Sequence, residues 1–130
     1  MKVSIIGATG YAGAELLRLL NNHPEAQVVH ITSESHTGEP ISTIYPHLRG
    51  IYDQILMSMK NIAEIGADSD FIFIGLPNGH AMKIGKALEE LPTRIIDLGA
   101  DYRFTDTGIY EEWYKIKHTH KEAVRVYGLA

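Results

Sequence analysis

The chain has 130 residues, 45% of them hydrophobic and 22% charged; 12 basic against 16 acidic side chains give a formal charge of −4, and cysteine is absent. That is enough for one globular domain, too apolar to be disordered and too short for a nucleotide domain plus a full substrate domain. Disulfides, thiolate metal sites and cysteine nucleophiles are excluded within these residues, scattered Lys and Arg argue against nucleic acid or an anionic membrane as partner, and no apolar run approaches the roughly 20 residues of a membrane span. Met1-Lys2 leads straight into a strand-like segment rather than a signal peptide, so a soluble, cytoplasmic protein is expected.

Lys2 to Ile6 (KVSII) is a short β-branched run ending at Gly7 and reads as a buried strand. From Tyr11 to Asn22, Leu16, Leu17 and Leu20 recur at helical spacing with Glu15 and Arg18 outside, and Asn21-Asn22-His23-Pro24 stops the helix. Gln27 to Thr32 is a second strand, completing a βαβ unit whose strands should be parallel. Ser33 to Gly50 is punctuated by Gly38, Pro40, Pro46 and Gly50 and reads as a long loop with one helical turn around Ile41 to Tyr45. Tyr52 to Met57 is read as a strand and Asn61 to Gly66 as a short helix. Asp70 to Gly75 (DFIFIG) is a buried strand, followed by a helix over Ala81 to Leu91 with Ile84, Ala87, Leu88 and Leu91 inward, and by a strand at Ile95 to Leu98. An amphipathic stretch at Ile109 to Lys117 and a strand at Val124 to Leu129 end the chain. The β-α-β rhythm predicts one α/β domain over residues 1–130.

The sharpest local signal is Gly7-Ala8-Thr9-Gly10-Tyr11-Ala12-Gly13, a G-x-x-G-x-x-G run between a strand and a helix. Gly7 permits a tight turn, Gly10 lets backbone approach a pyrophosphate, Gly13 lets helix pack on strand, and the free N–H groups at the helix start bind phosphate. The strand before and helix after supply the context the motif requires, so the expectation is a dinucleotide site in a Rossmann-type, doubly wound, mostly parallel sheet with helices on both faces. About 20 residues on, Glu34 could hold ribose hydroxyls, whereas its neighbours Ser33 and Ser35 could donate to a 2′-phosphate and His36 could add charge at low pH; these residues leave NAD and NADP both open. Gly75-Leu76-Pro77-Asn78-Gly79-His80 lies beyond a strand end, where Asn78 either caps the next helix or joins His80 in meeting a ligand. Arg103, in Asp97-Leu98-Gly99-Ala100-Asp101-Tyr102-Arg103-Phe104, either clamps a phosphate or pairs with Asp97, Asp101 or Asp106. No metal site is expected, because His118-x-His120 lacks a third ligand at a recognisable spacing, and Trp113 with Tyr110 and Tyr114 reads as packing.

Taken in order, GATGYAGAELLRLL, Tyr45-Pro46-His47-Leu48-Arg49-Gly50, Gly75 to His80, Ile96 to Phe104 and Tyr127-Gly128-Leu129 closely resemble the amino-terminal part of the N-acetyl-gamma-glutamyl-phosphate reductases, relatives of aspartate-semialdehyde dehydrogenase. The resemblance covers essentially the whole chain. It implies an enzyme that uses NADPH to reduce an acyl phosphate to N-acetylglutamate semialdehyde in arginine biosynthesis, through a cysteine thiolate, hydride from the nicotinamide and a proton-handling histidine. It implies pyrophosphate contacts from Thr9, Gly10, Tyr11 and Ala12, 2′-phosphate contacts from Ser33 and Ser35, and substrate phosphate on Arg103. With the loop glycines, the expected cofactor set is Gly7, Thr9, Gly10, Tyr11, Ala12, Gly13, Ser33, Ser35, Gly75 and Pro77.

Three positions depart from the family pattern: no arginine stands near Glu34, Asn78 replaces a frequent histidine, and Ala130 follows Gly-Leu where proline is common. The nucleophilic cysteine is expected beyond Ala130, so this chain holds no catalytic residue and should bind NADP(H) without turnover. Its catalytic and substrate domain would be absent, and a homo-oligomer acting on a small acyl phosphate is expected at full length. The alternative is a stand-alone NAD(P)-binding or regulatory module. A short-chain dehydrogenase is disfavoured, since no tyrosine has lysine four positions later.

Overall fold

The computed structural model describes residues 1–128. Four parallel strands, β1 (Lys2–Ile6), β2 (Gln27–Thr32), β3 (Phe71–Ile74) and β4 (Arg94–Asp97), form one sheet in the order β2-β1-β3-β4. Five helices accompany them: α1 (Tyr11–Leu20), α2 (Ile41–Ile44), α3 (Ile62–Ala67), α4 (Ala81–Ala87) and α5 (Thr107–Tyr114). Neighbouring positions on β1 enter different cores, as the two-residue period of a strand requires. Ile5 packs with Leu17 of α1, Ile31 of β2 and Ile41 of α2, whereas Ile6 packs with Ile65 of α3, Ile72 and Ile74 of β3, and Ile84 of α4. The serine within KVSII is buried at no cost in unpaired polarity, since its Oγ lies 2.7 Å from Ser69 Oγ, which donates to the Ile65 carbonyl.

The expected α/β architecture and its first four major elements are present. The differences lie where short-range pattern is weak. Tyr52 to Met57 is no strand: it makes only single bridges, Met57 to Thr32 and Ile55 to Pro40. The helix expected to Leu91 ends at Ala87, because its last turn tightens into i→i+3 bonds at Leu88 and Leu91; Ala87 faces solvent and Met82, not Ala87, is buried. α5 starts two residues before Ile109, where the Asp106 carboxylate accepts the Gly108 N–H at 2.7 Å, and stops at Lys115, whose φ of 57° breaks the helix. Val124 and Val126 are exposed and outside any strand; Leu129, the end of the strand expected there, lies outside the described residues, as does Ala130.

One face of the sheet is incompletely covered. Phe73 and Ile96 pair across β3 and β4 on the same face as Ile5, yet Ile96 is 37% and Leu98 47% exposed, and the helices on that side lie over β1 and β2. On the opposite side α5 and the loop before it pack against α4 through Met82, Ala100 and Tyr110.

Candidate functional site

β1 has β2 on one side and β3 on the other, so the chain reverses its winding direction between β1 and β3. In open α/β sheets the crevice beyond the carboxyl ends of strands at such a switch point is where ligands bind. The sequence places glycines on both of its walls. Gly7 has φ +84°, and a Cβ there would lie 2.6 Å from the carbonyl oxygen of Gly75; Gly75 in turn donates its N–H to Ile6 at 2.9 Å. A Cβ on Gly13 would lie 2.6 Å from both Ala8 Cα and the Gly7 carbonyl oxygen, so only glycine lets the first turn of α1 rest on the loop.

α1 begins without a side-chain cap. Gly10, its N-cap, is extended, and the N–H groups of Tyr11, Ala12 and Gly13 have no backbone acceptor among the described residues. Free donors and the positive end of a dipole at a helix start suit an anion; of this turn Gly10 lines the crevice, whereas Tyr11, Ala12 and Gly13 stand behind it. Tyr11 is 96% exposed, so what this residue offers a phosphate is its N–H.

Side chains from β2 and the following loop fix the rim. Thr32 accepts the Gly7 N–H on its Oγ1 at 3.3 Å and the Ala8 N–H on its carbonyl at 2.9 Å. Thr9 Oγ1 and Ser33 Oγ lie 2.9 Å apart; one hydroxyl donates to the other, which leaves the second proton free for a ligand. Tyr45, from the long loop, donates its hydroxyl to the Thr9 carbonyl at 2.8 Å, a support that no spacing in the sequence announces. Glu34 is turned aside: its Oε1 accepts the Met59 N–H at 2.6 Å and the Ser58 hydroxyl at 3.2 Å. Ser35 stays exposed, and the His36 ring is held 3.1 Å from Glu39.

Gly7, Thr9, Gly10, Ser33, Ser35, Gly75 and Pro77 thus surround one cavity of about 320 Å³, joined by Thr32, Glu34, Met59, Leu76 and His80. Its size and its mixture of backbone donors, hydroxyls and apolar surface suit part of a dinucleotide. A wider depression of about 750 Å³ lies at the opposite, amino ends of β1, β3 and β4, lined by Lys2, Asp68, Asp70 and Arg94. Its volume does not make it the ligand site, because the glycine loop and helix dipole act only at the carboxyl ends.

Arg103 does not line the cavity and, among the described residues, makes no ion pair with Asp97, Asp101 or Asp106; its guanidinium rests over the rings of Phe104 and Tyr127 at 5.9 and 5.3 Å. Asn78 does not cap α4. That work falls to Asp101, 1% exposed, whose carboxylate accepts the Gly79 N–H at 2.7 Å, the Met82 N–H at 3.1 Å and the Tyr110 hydroxyl at 2.7 Å. Burial first, and then this hydrogen bond to Asp101, push the Tyr110 phenol far above its ordinary range, so it stays a donor. Tyr110 stacks on Tyr114 at 4.9 Å as the packing reading expects, but Trp113 stands 75% exposed.

Comparison with known proteins agrees with this geometry. The family model described as semialdehyde dehydrogenase, NAD binding domain, matches residues 2–128. N-acetyl-gamma-glutamyl-phosphate reductases from Pelotomaculum thermopropionicum and Methanococcus maripaludis are 47% and 44% identical over 99% and 98% of this chain. The chain spans only 38% and 37% of their lengths. Among solved structures, aspartate semialdehyde dehydrogenase with NADP from Candida albicans superposes with a TM-score of 0.67 at 23% identity, over 78% of this chain and 30% of that one, a likeness of fold. The uncapped helix start, the glycines that tolerate no Cβ and the family match over nearly every residue lead to one conclusion: the chain belongs to the NAD-binding domain family of the semialdehyde dehydrogenases.

Proposed function

We propose that this chain is the cofactor-binding portion of an NADP(H)-dependent reductase that converts N-acetylglutamyl 5-phosphate to N-acetylglutamate 5-semialdehyde in arginine biosynthesis. The observation that carries the proposal is 47% identity over 99% of the chain with a relative of that name. When bound, the cofactor supplies hydride to an acyl carbon. The chain's own residues bind and orient it. The N–H groups of Tyr11, Ala12 and Gly13 and the Thr9 hydroxyl hold the pyrophosphate, Gly7, Gly10 and Gly13 keep the backbone close, and Gly75 and Pro77 form the opposite wall.

Glu34 lines the same cavity, but its Oε1 is already taken by Met59 and Ser58 while Ser33 and Ser35 stand beside it, which supports NADP(H) over NAD(H). Arg103, free of carboxylate partners among the described residues, is assigned to the substrate phosphate. The nucleophilic cysteine and the substrate domain belong to sequence beyond residue 130, and the whole enzyme works in the cytoplasm as a homo-oligomer on a small acyl phosphate. By itself the 130-residue chain binds cofactor and turns nothing over.

Isothermal titration of the purified chain tests the assignment. It should bind NADP with one site, more tightly than NAD, and show no acyl-phosphate-dependent oxidation of NADPH. Equal, negligible heats for NADP, NAD and AMP would overturn it.

A further inference from the structure

The segment from Lys115 to Gly128 has no regular structure, yet it buries two histidines against α4. His118 is fully used: its Nε2 lies 2.7 Å from the Asp101 carbonyl and its Nδ1 accepts the His120 N–H at 3.2 Å. His120, 4% exposed, is not. Its Nδ1 lies 2.8 Å from the Tyr102 hydroxyl, whereas its Nε2 is buried and has no hydrogen-bond partner.

The Tyr102 hydroxyl, 2.8 Å from His120 Nδ1, also lies 3.4 Å from the Met82 carbonyl. Donation to that carbonyl and acceptance from Nδ1–H is the tautomer that frees an Nε2 lone pair for a metal. Nε2 faces carboxylates. Glu89, just past the end of α4, has Oε1 3.6 Å from Nε2, beyond hydrogen-bond distance, and one ligand atom from each of Glu89, His120 and Glu122 lies within 4.8 Å of the others. In that tautomer three electron-pair donors face one another, and a cation among them relieves their repulsion.

We propose that Glu89, His120 and Glu122 bind a divalent cation of the zinc type, which clips the segment after α5 to the end of α4. Bonds of about 2.0–2.2 Å in a tetrahedral array set ligand atoms about 3.3–3.6 Å apart, so the wider separations in the cluster must contract. It can, because both glutamates are exposed and free to swing while the ring is held edge-on to Tyr102. A histidine whose other nitrogen is fixed by a hydrogen bond is the usual arrangement of a metal ligand. One imidazole and two carboxylates favour zinc or copper over manganese. Of the nearby cations, Arg125 is spent on the carbonyls of His120, Lys121, Ala123 and Phe104, and Lys86, close to Glu122, is the charge the ion must displace.

The site is separate from the cofactor cavity, so its test is independent of NADP binding. The chelator-stripped 130-residue chain is titrated with zinc chloride by calorimetry and by thermal melting. One equivalent should bind and raise Tm, Glu89→Gln and Glu122→Gln should each weaken binding at least tenfold while remaining folded by circular dichroism, and Lys86→Gln should tighten it. Tyr102→Phe should weaken it about 10–100-fold through loss of the ring's anchor. Zinc uptake that is undiminished in Glu89→Gln and Glu122→Gln, as binding at the exposed His47 would give, overturns the proposal, and so does the absence of saturable uptake.

Discussion

Gly13 shows how one missing Cβ decides a site. The atom that alanine would add lands on the backbone of Ala8 and Gly7, which cannot give way without moving the loop off β1. Gly13→Ala should therefore cost about 1–3 kcal/mol in urea denaturation and abolish measurable NADP binding in a titration. Asp97 gives a pH signature at the same scale. Burial, and then the neighbouring Asp101, raise its carboxyl above the ordinary 3.8, and its Oδ2 is buried without a partner. An acid whose pKa is higher folded than unfolded holds its proton more tightly in the native state, so stability is greatest at low pH and declines as pH rises from its unfolded value through its folded one. Asp97→Asn should remove that decline. Urea midpoints from about pH 4 to about pH 7 should fall less steeply in the variant than in the parent, against whatever constant offset the amide introduces.

At the scale of elements, the coupling of α4 to the loop after β4 runs through Asp101. Its carboxylate takes the place of the side-chain cap that α4 lacks and also receives Tyr110 from α5, so three elements meet at one buried group. Asp101→Asn keeps the shape but turns an acceptor toward donors as an N–H donor, leaving at least one buried group unpaired. A loss of about 1–3 kcal/mol is expected, with faster hydrogen exchange at the Gly79 and Met82 amides than in the rest of α4 and the loop before it. None of this could be read from Ile96 to Phe104, where Asp101 looked like one of three partners for Arg103. Element positions were legible where pattern was strong: β1, α1 and β2 stand where a β-branched run, a leucine stripe and a second β-rich run put them. They were not legible at residues 52–57, which satisfy strand propensity but meet the free edge of β2 only at Met57 and the loop only at Ile55, single-residue bridges that make no ladder.

At the scale of the molecule, the unequal covering of the sheet has a consequence. β4 is an edge strand, with Ile96 on it and Leu98 just past its end toward water, and such an edge is a template for pairing. Sedimentation velocity of the chain should show concentration-dependent association, and Ile96→Lys, which places a charge on that face, should shift the population toward monomer. A single species at every concentration would remove the edge from consideration. Among the described residues no helix is long and apolar enough to cross a membrane, in keeping with the composition. The sequence by itself determined the parallel α/β unit, the glycine loop and the position of the helix start that follows it, because periodicity and glycine's backbone freedom act within a few residues. Only the tertiary structure decided which groups serve those elements: Glu34 turned to Met59, Tyr45 brought to Thr9, Asp101 set beneath α4, and Glu89 carried to His120. Such pairings join residues far apart in the chain, and packing of the two cores, not local spacing, sets the distances between them.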